Sequence, residues 1–156
     1  TDGLITGLKT GQIPLIATDH APHLLSEKQR IFSEAPSGMP GIETSLSLML
    51  SMVNKDVFSL EQVCRWMCEA PADCFSIANK GKIEEGYDAD LVLVDLKKKH
   101  TLSNANTVSR AGWTAFEGWE CVGAPVATFV NGQMVYRESD FFEDIKGTEI
   151  VVGQQC

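Results

Sequence analysis

The stretch "LIATDHAPH", residues 15–23, decides how this sequence folds. An apolar run gives way abruptly to one aspartate and two histidines within five residues. Residues 13–17 predict a short strand that is buried on both faces, as in a parallel sheet. Residues 4–8 have the apolar spacing of a helix, so helix, loop and buried strand together predict half of an α/β unit.

Asp19 lies directly after the predicted strand. In α/β proteins, catalytic side chains gather at the C-terminal ends of strands. A carboxylate there can bind a metal ion and take a proton from metal-bound water. His23 follows across Pro22, and its imidazole can ligate a metal or donate to an anionic substrate. The competing interpretation is that Asp19 caps the next turn and both histidines are ordinary loop residues.

A catalytic zinc ion needs about three protein ligands, and this stretch supplies too few. The third histidine, His100, lies in a β-like part of the sequence, and no H-x-H, H-E-x-x-H or C-x-x-C motif occurs. The stretch therefore predicts one corner of a metal site whose other corners are missing.

Helical patterns follow a long polar loop over residues 18–40. An apolar stripe at helical spacing predicts the first helix after this loop. A capping box at Ser59 predicts the start of a second helix, with Val63, Cys64 and Met67 on its buried face. Pro71 predicts the start of a third helix that runs to about residue 77. The apolar stripe of the helix that directly follows the polar loop comprises Ile42, Leu46, Met49, Leu50 and Val53.

The pattern changes near Asn79. Residues 91–94 predict a strand, and Asn131-Gly132 between β-forming residues predicts a hairpin with a two-residue type I′ turn. We therefore predict an α/β part over residues 1–78 and a mainly β region over residues 79–156.

The composition excludes some classes of partner. The net charge of −8 disfavours binding to nucleic acid or to anionic membranes, because both require a basic face. No apolar run reaches the ~20 residues that span a bilayer. Five cysteines, an odd number without a secretory signal, predict reduced thiols and a cytoplasmic location.

Four motifs together resemble a known family. "ATDHAPH", residues 17–23, resembles the signature at the end of the eighth barrel strand in dihydroorotases of the amidohydrolase superfamily. "SEKQRIFSEAPSGMPGIETSL", residues 26–46, is similar to the loop and helix start that follow it in the long, bacterial-type enzymes. "GKIEEGYDADLVLVD" and "ATFVNGQMVY" resemble the C-terminal β-region that many amidohydrolases fold beside the barrel.

This resemblance implies a fold and a set of site residues. It implies the last strand and flanking helices of an incomplete (β/α)₈ TIM barrel, followed by the C-terminal part of an amidohydrolase β-sandwich. Asp19 is then the last metal ligand and the catalytic acid and base. His23 holds the substrate carboxylate, and the backbone of Ala21, Ser37 and Gly38 lies against the substrate. His20 is expected to have a structural role.

The resemblance also implies an activity and partners. The activity is the zinc-dependent, reversible cyclisation of N-carbamoyl-L-aspartate to dihydroorotate in pyrimidine biosynthesis. One or two zinc ions are expected, with most ligands upstream of this chain, so the chain is expected to be a C-terminal portion that is inactive alone. The implied partners are the small-molecule substrate, the N-terminal remainder of the barrel, and a second copy in a homodimer or an aspartate transcarbamoylase.

Two other functions stay open. One is another cyclic amidohydrolase, of the allantoinase or hydantoinase type, although His23 argues against neutral hydantoin rings, which lack a carboxylate. The other is a non-catalytic dihydroorotase-like subunit that scaffolds an aspartate transcarbamoylase.

Several nearby residues have simpler expected roles. We expect the Glu43 carboxylate to favour the positive end of a helix rather than to act in catalysis. We expect that neither Lys28 nor Arg30 approaches the substrate, although the loop over residues 24–39 has the length of a lid. Trp113 and its aromatic neighbours are expected to pack between the two parts of the chain.

Overall fold

The computed structural model describes residues 2–153, and residue contacts divide the chain into two compact units. The first unit comprises the described parts of Thr1–Ala17, Phe58–Val94 and Pro125–Cys156. The second comprises Thr18–Val57 and Asp95–Ala124. No helix of the described residues is long and apolar enough to cross a membrane.

The first unit begins with helix α1, Asp2–Lys9, which confirms the predicted helix. The strand predicted over residues 13–17 is wrong as a paired strand, because no neighbouring strand pairs with it among residues 2–153. Its backbone instead meets the helical segment of the same unit, where the Ile16 N–H donates to the Trp66 carbonyl at 3.0 Å. Burial on both faces is also wrong, since Pro14 and Ala17 are exposed.

A helical run follows in the first unit as α4 (Leu60–Cys64), a π-helical turn (Arg65–Glu69) and α5 (Ala70–Cys74). The capping box at Ser59 is present, and Pro71 lies in the first turn of α5, which ends before the predicted residue 77.

The buried face of this run differs from the predicted face. Val63 is buried as predicted, but Cys64 is exposed and Met67 is half-buried. Trp66 is buried in their place, because its ring packs edge-to-face on Phe58 with ring centroids 5.0 Å apart. The buried face of the helical run is therefore the one that carries Val63 and Trp66.

Four strands form one sheet in the order β1-β2-β3-β4. They are β1 (Leu91–Thr101), β2 (Glu120–Val130), β3 (Gln133–Arg137) and β4 (Asp140–Phe141). Strand β1 is longer than the strand predicted over residues 91–94. The hairpin prediction is confirmed, because β2 and β3 pair antiparallel around Asn131 and Gly132, whose φ angles of 50° and 77° are those of a type I′ turn.

Charged side chains hold this hairpin turn in the first unit. The Asp90 carboxylate accepts a hydrogen bond from the Asn131 N–H at 2.8 Å and pairs with the Lys80 ammonium. Lys80 also pairs with Asp88 at 2.9 Å. Partial burial opposes ionisation of Asp90, but the bonds from Lys80 and Asn131 outweigh it and lower the pKa of this carboxyl group.

The second unit contains the single helical turn α2 (Leu25–Lys28), the longer helix α3 (Ile42–Asn54) and a 3₁₀ turn, Asn104–Asn106. The α3 prediction is confirmed, but its buried face is not the predicted apolar stripe. Leu50 is fully buried, whereas Ile42 is 61% exposed. The other buried residues of this helix are Thr44, Ser47 and Ser51.

A close backbone approach explains this small and polar face. Gly123 of β2 lies against α3, where a Cβ atom at Gly123 would come within 2.6 Å of the Leu50 Cβ. The Ser51 hydroxyl accepts a hydrogen bond from the Val122 N–H at 2.9 Å and lies within hydrogen-bond distance of the Ser47 carbonyl. Small side chains permit this contact, and larger apolar ones at the same positions do not.

Candidate active site

The candidate active site lies within the second unit and begins at Asp19. This residue has a φ of 43°, in the left-handed region that aspartate tolerates better than most residues. Its side chain is exposed, and among residues 2–153 its carboxylate takes part in no hydrogen bond or ion pair. The turn at Asp19 therefore presents a carboxylate whose oxygens are available to a ligand.

His20 fixes this turn to the start of α3. Its Nδ1 accepts hydrogen bonds from the backbone N–H groups of Gly41 at 3.0 Å and Ile42 at 3.4 Å. These amides are among the N–H groups that have no partner inside the helix. The structural role expected for His20 is thus seen in its contacts, and Nδ1 carries no proton in this arrangement.

A close contact joins the "DHAPH" turn to the loop before α3. The Ala21 N–H donates to the Met39 carbonyl at 3.2 Å, and His20 and Met39 form a parallel β-bridge. Gly38 has a φ of 102°, and a Cβ atom there would lie 2.6 Å from the Ala21 Cβ. Only glycine fits at this position without displacing the backbone. The structure thus brings together Ala21 and Gly38, two of the residues predicted to contact substrate.

Lys28 of α2 holds the same loop from its other side. Its ammonium donates to the carbonyl groups of Pro36 at 2.6 Å and Gly38 at 3.0 Å. These two bonds connect the half-buried Lys28 side chain to the loop. Ser37, which lies between the two bonded carbonyls, is exposed.

His23 is held through its backbone and faces an acidic side chain. Its carbonyl accepts a hydrogen bond from the Trp113 indole Nε1–H at 2.7 Å. The His23 imidazole Nδ1 lies 3.9 Å from a Glu27 carboxylate oxygen, and the same oxygen accepts a hydrogen bond from the Leu24 N–H at 2.8 Å. The ring remains partly exposed and so remains accessible to a ligand.

Glu43 lies in the first turn of α3, as expected, and it also makes a contact that the sequence did not predict. Its two carboxylate oxygens accept hydrogen bonds from the successive N–H groups of Val108 at 2.7 Å and Ser109 at 3.0 Å. This two-point contact occupies the carboxylate. Glu43 thus connects α3 to the segment that carries Trp113, and it is not free for catalysis.

The described residues do not form a metal site by themselves. Within residues 2–153, no group of three or more histidine, cysteine, aspartate or glutamate side chains is placed to hold a metal ion. Since a catalytic zinc ion needs about three protein ligands, the described residues around Asp19 do not complete such a site.

Sequence reasoning missed the supporting contacts of the site. Trp113 lies ninety residues after His23 in the sequence, and no local sequence pattern indicates that its indole donates to the His23 carbonyl. Lys28 and Glu43 carry charges that surface residues commonly have, so their backbone partners were not predictable. Gly38 was the one detectable signal, because a glycine within a Pro-Ser-Gly turn favours a positive φ.

Comparison with known proteins identifies the family. A model of the amidohydrolase family matches residues 1–135. The dihydroorotase of Pyrococcus horikoshii is 40% identical over 139 residues, which cover 89% of this chain and 32% of that relative. The dihydroorotase of Listeria innocua is 42% identical over 138 residues, covering 88% of this chain and 32% of the relative. The chain spans about a third of the length of the curated relatives it matches.

Solved structures agree with this result. An L-hydantoinase (dihydropyrimidinase) from Arthrobacter aurescens has a TM-score of 0.83 and 34% identity, covering 89% of this chain and 32% of that structure. A dihydropyrimidinase from Brevibacillus agri has a TM-score of 0.85 and 29% identity, covering 90% and 32%. The chain therefore belongs to the amidohydrolase family.

Proposed function

We propose that this chain provides one corner of the active site of a zinc-dependent dihydroorotase, which interconverts N-carbamoyl-L-aspartate and dihydroorotate in pyrimidine biosynthesis. The observation that carries this proposal is the turn at Asp19, where a residue with a left-handed backbone conformation presents an exposed carboxylate that pairs with no group among residues 2–153. The identity of about 40% to dihydroorotases supports the choice of reaction.

In this proposal Asp19 is a catalytic residue and the one zinc ligand of the chain. Its carboxylate moves a proton between the water molecule and the ring nitrogen, which gains the proton when the cyclic amide bond breaks. Zinc, when bound, supplies polarisation of the amide carbonyl and of water. In this proposal the remaining ligands come from outside residues 2–153.

His23 binds the carboxylate that the substrate keeps in both its open and cyclic forms. An imidazole N–H donates a hydrogen bond to such a carboxylate, and the partly exposed His23 ring is accessible to it. The backbone of Ala21, Ser37 and Gly38 forms the adjoining wall. The contact between Ala21 and Gly38 supports a shared wall, because it brings the two segments together.

We further propose that the chain works together with the remainder of a barrel. In this view residues 1–78 are the last strand and flanking helices of a (β/α)₈ TIM barrel, and residues 79–156 are part of a β-sandwich. The segment over residues 13–17 pairs with no strand among residues 2–153, and the apolar side chain of Ile42 is exposed; both observations support further neighbours. A homodimer, or a complex with aspartate transcarbamoylase, remains part of the proposal. The free cysteines fit a reducing compartment such as the cytoplasm.

The test is a substrate panel on the complete natural protein that carries these residues, purified with zinc. Initial rates are measured for dihydroorotate, hydantoin and allantoin, and for N-carbamoyl-L-aspartate in the reverse direction. We expect the dihydroorotate pair to react and the neutral rings to react far more slowly. The 156-residue chain alone is expected to be inactive, because it supplies a single zinc ligand. Zinc-dependent turnover by the chain alone would contradict this part of the proposal.

A hydantoinase-type activity is the second candidate, because structural relatives at TM-scores of 0.83 and 0.85 carry hydantoinase and dihydropyrimidinase names. The His23→Asn variant separates the two candidates. For a dihydroorotase this variant weakens binding of the charged substrate, whereas for a hydantoinase it has little effect on a neutral ring. A complete natural protein that binds aspartate transcarbamoylase but turns over none of these compounds would instead support the scaffold function.

A further inference from the structure

Lys28 touches the loop of the candidate active site at two points. It donates to the carbonyl groups of Pro36 and Gly38, at 2.6 and 3.0 Å. These carbonyls lie on either side of Ser37, so the ammonium holds both ends of the dipeptide proposed to contact substrate. Lys28 itself is half-buried, which strengthens hydrogen bonds relative to a fully solvated ammonium.

The loop that Lys28 contacts is closely packed but has an irregular backbone. Gly38 has a φ of 102°, and it is pressed against Ala21 so closely that a Cβ atom would not fit. Between Pro36 and Gly38 the chain forms no helix or strand, so no regular hydrogen-bond ladder holds it. The two bonds from Lys28 fix the peptide groups directly, and a short helical turn anchors Lys28.

The neighbouring residue acts on the other half of the same site. Glu27 faces the His23 imidazole at 3.9 Å and accepts the Leu24 N–H, which closes the first turn of α2. Two successive residues of one helical turn therefore contact the two segments proposed to bind substrate. The turn α2 connects these segments although the chain between them is irregular.

We infer that Lys28 is a positioning residue for substrate binding, which holds the Ser37-Gly38 backbone in its binding conformation. This inference rests on the proposed function and names a residue that the comparisons do not assign. Lys28 uses two of its three N–H donors on the loop carbonyls, so in this inference it acts on the loop and not on the substrate. Its loss should therefore weaken the binding of substrate and transition state to a similar extent, which raises KM and leaves kcat nearly unchanged.

The test compares K28M, K28R and R30A in the complete natural protein with zinc, measuring KM and kcat for dihydroorotate. Methionine keeps the length of the side chain but removes the donors, so K28M is expected to raise KM about 10-fold to 100-fold. Arginine keeps several donors, so K28R is expected to recover most of this loss. Arg30 is exposed and lies two residues away, so R30A controls for the removal of a positive charge.

Four results would overturn the inference. The first is a KM of K28M that equals the KM of R30A. The second is a K28M protein with a lower kcat and an unchanged KM. The third is a KM of K28R that is as high as the KM of K28M. The fourth is unchanged hydrogen exchange in K28M at the Ala21 amide, which is bonded to the Met39 carbonyl at 3.2 Å. Unchanged exchange would show that the loop keeps its contact without Lys28, and this measurement does not depend on turnover. A wild-type protein without dihydroorotase activity is a different failure, visible before any variant is compared, and it refutes the proposed function itself.

Discussion

Substituting Gly38 by alanine tests the contact on which the candidate site is built. The new Cβ atom would lie 2.6 Å from the Ala21 Cβ and 2.9 Å from the Ala21 carbonyl oxygen. Gly118 is the matched control, since it also has a positive φ, 79°, but a Cβ atom there meets nothing within 4 Å. Both substitutions introduce backbone strain of about 1–2 kcal/mol, and only G38A adds an overlap.

The size of the added effect follows from the overlap. Carbon atoms are in favourable contact at about 3.5–4.0 Å, so the new methyl group is about 1 Å too close to Ala21. Relieving an overlap of this kind by shifting the backbone costs typically 1–3 kcal/mol. The shift separates the loop from Ala21, because neither side can yield as a flexible side chain would.

Native-state hydrogen exchange measures this separation at one amide. The Ala21 N–H is bonded to the Met39 carbonyl at 3.2 Å, and it exchanges only when that contact opens. An added cost of 1–3 kcal/mol makes this amide of G38A exchange roughly 5-fold to 150-fold faster than in wild type. The G118A variant should leave this amide unchanged. Equal exchange rates at the Ala21 amide in both variants would refute the close contact.

Three further predictions concern the framework of the second unit. Ser51→Ala should lower the free energy of unfolding by about 1–3 kcal/mol, because it leaves the Val122 N–H without its acceptor. The control, Ser45→Ala, removes a hydroxyl that is bonded within α3 and should lower the free energy of unfolding less, as measured by urea denaturation. Burial lowers the pKa of His100, so the folded state binds fewer protons than the unfolded chain, and stability should fall as the pH drops below about 6.5. Thermal melts across pH should show this fall in the wild type, and H100Q should abolish the contribution of this group. Glu43→Gln should destabilise the protein by about 1 kcal/mol, since its side-chain amide has a single oxygen and cannot accept from the two successive N–H groups as the carboxylate does. An unchanged urea midpoint would show that this contact does not contribute to stability.

Local signals predicted several elements correctly. The capping box at Ser59 and the Asn131-Gly132 turn are short-range devices, in which a few neighbouring residues satisfy each other's backbone groups. Such patterns do not depend on distant parts of the chain, so they were visible in the sequence.

Features that depend on distant partners were predicted less well. The apolar stripe predicted the presence of α3 but not its packed face, because Gly123 admits only a small-residue surface there. The segment over residues 13–17 has the composition of a buried strand, but pairing requires a neighbour that the described residues do not provide. In the same way, the contacts of Trp113 and Glu43 arise from tertiary placement alone.

The most direct test of the central claim is the activity of D19N in the complete natural protein. Asparagine tolerates a positive φ as aspartate does, so the turn is kept while the proton carrier is removed. Asp56 is the matched control, because it is an exposed aspartate with a φ of 55°. We predict that D19N lowers kcat for dihydroorotate by about 100-fold or more and that D56N is unchanged. A D19N protein that retains wild-type kcat would contradict the account.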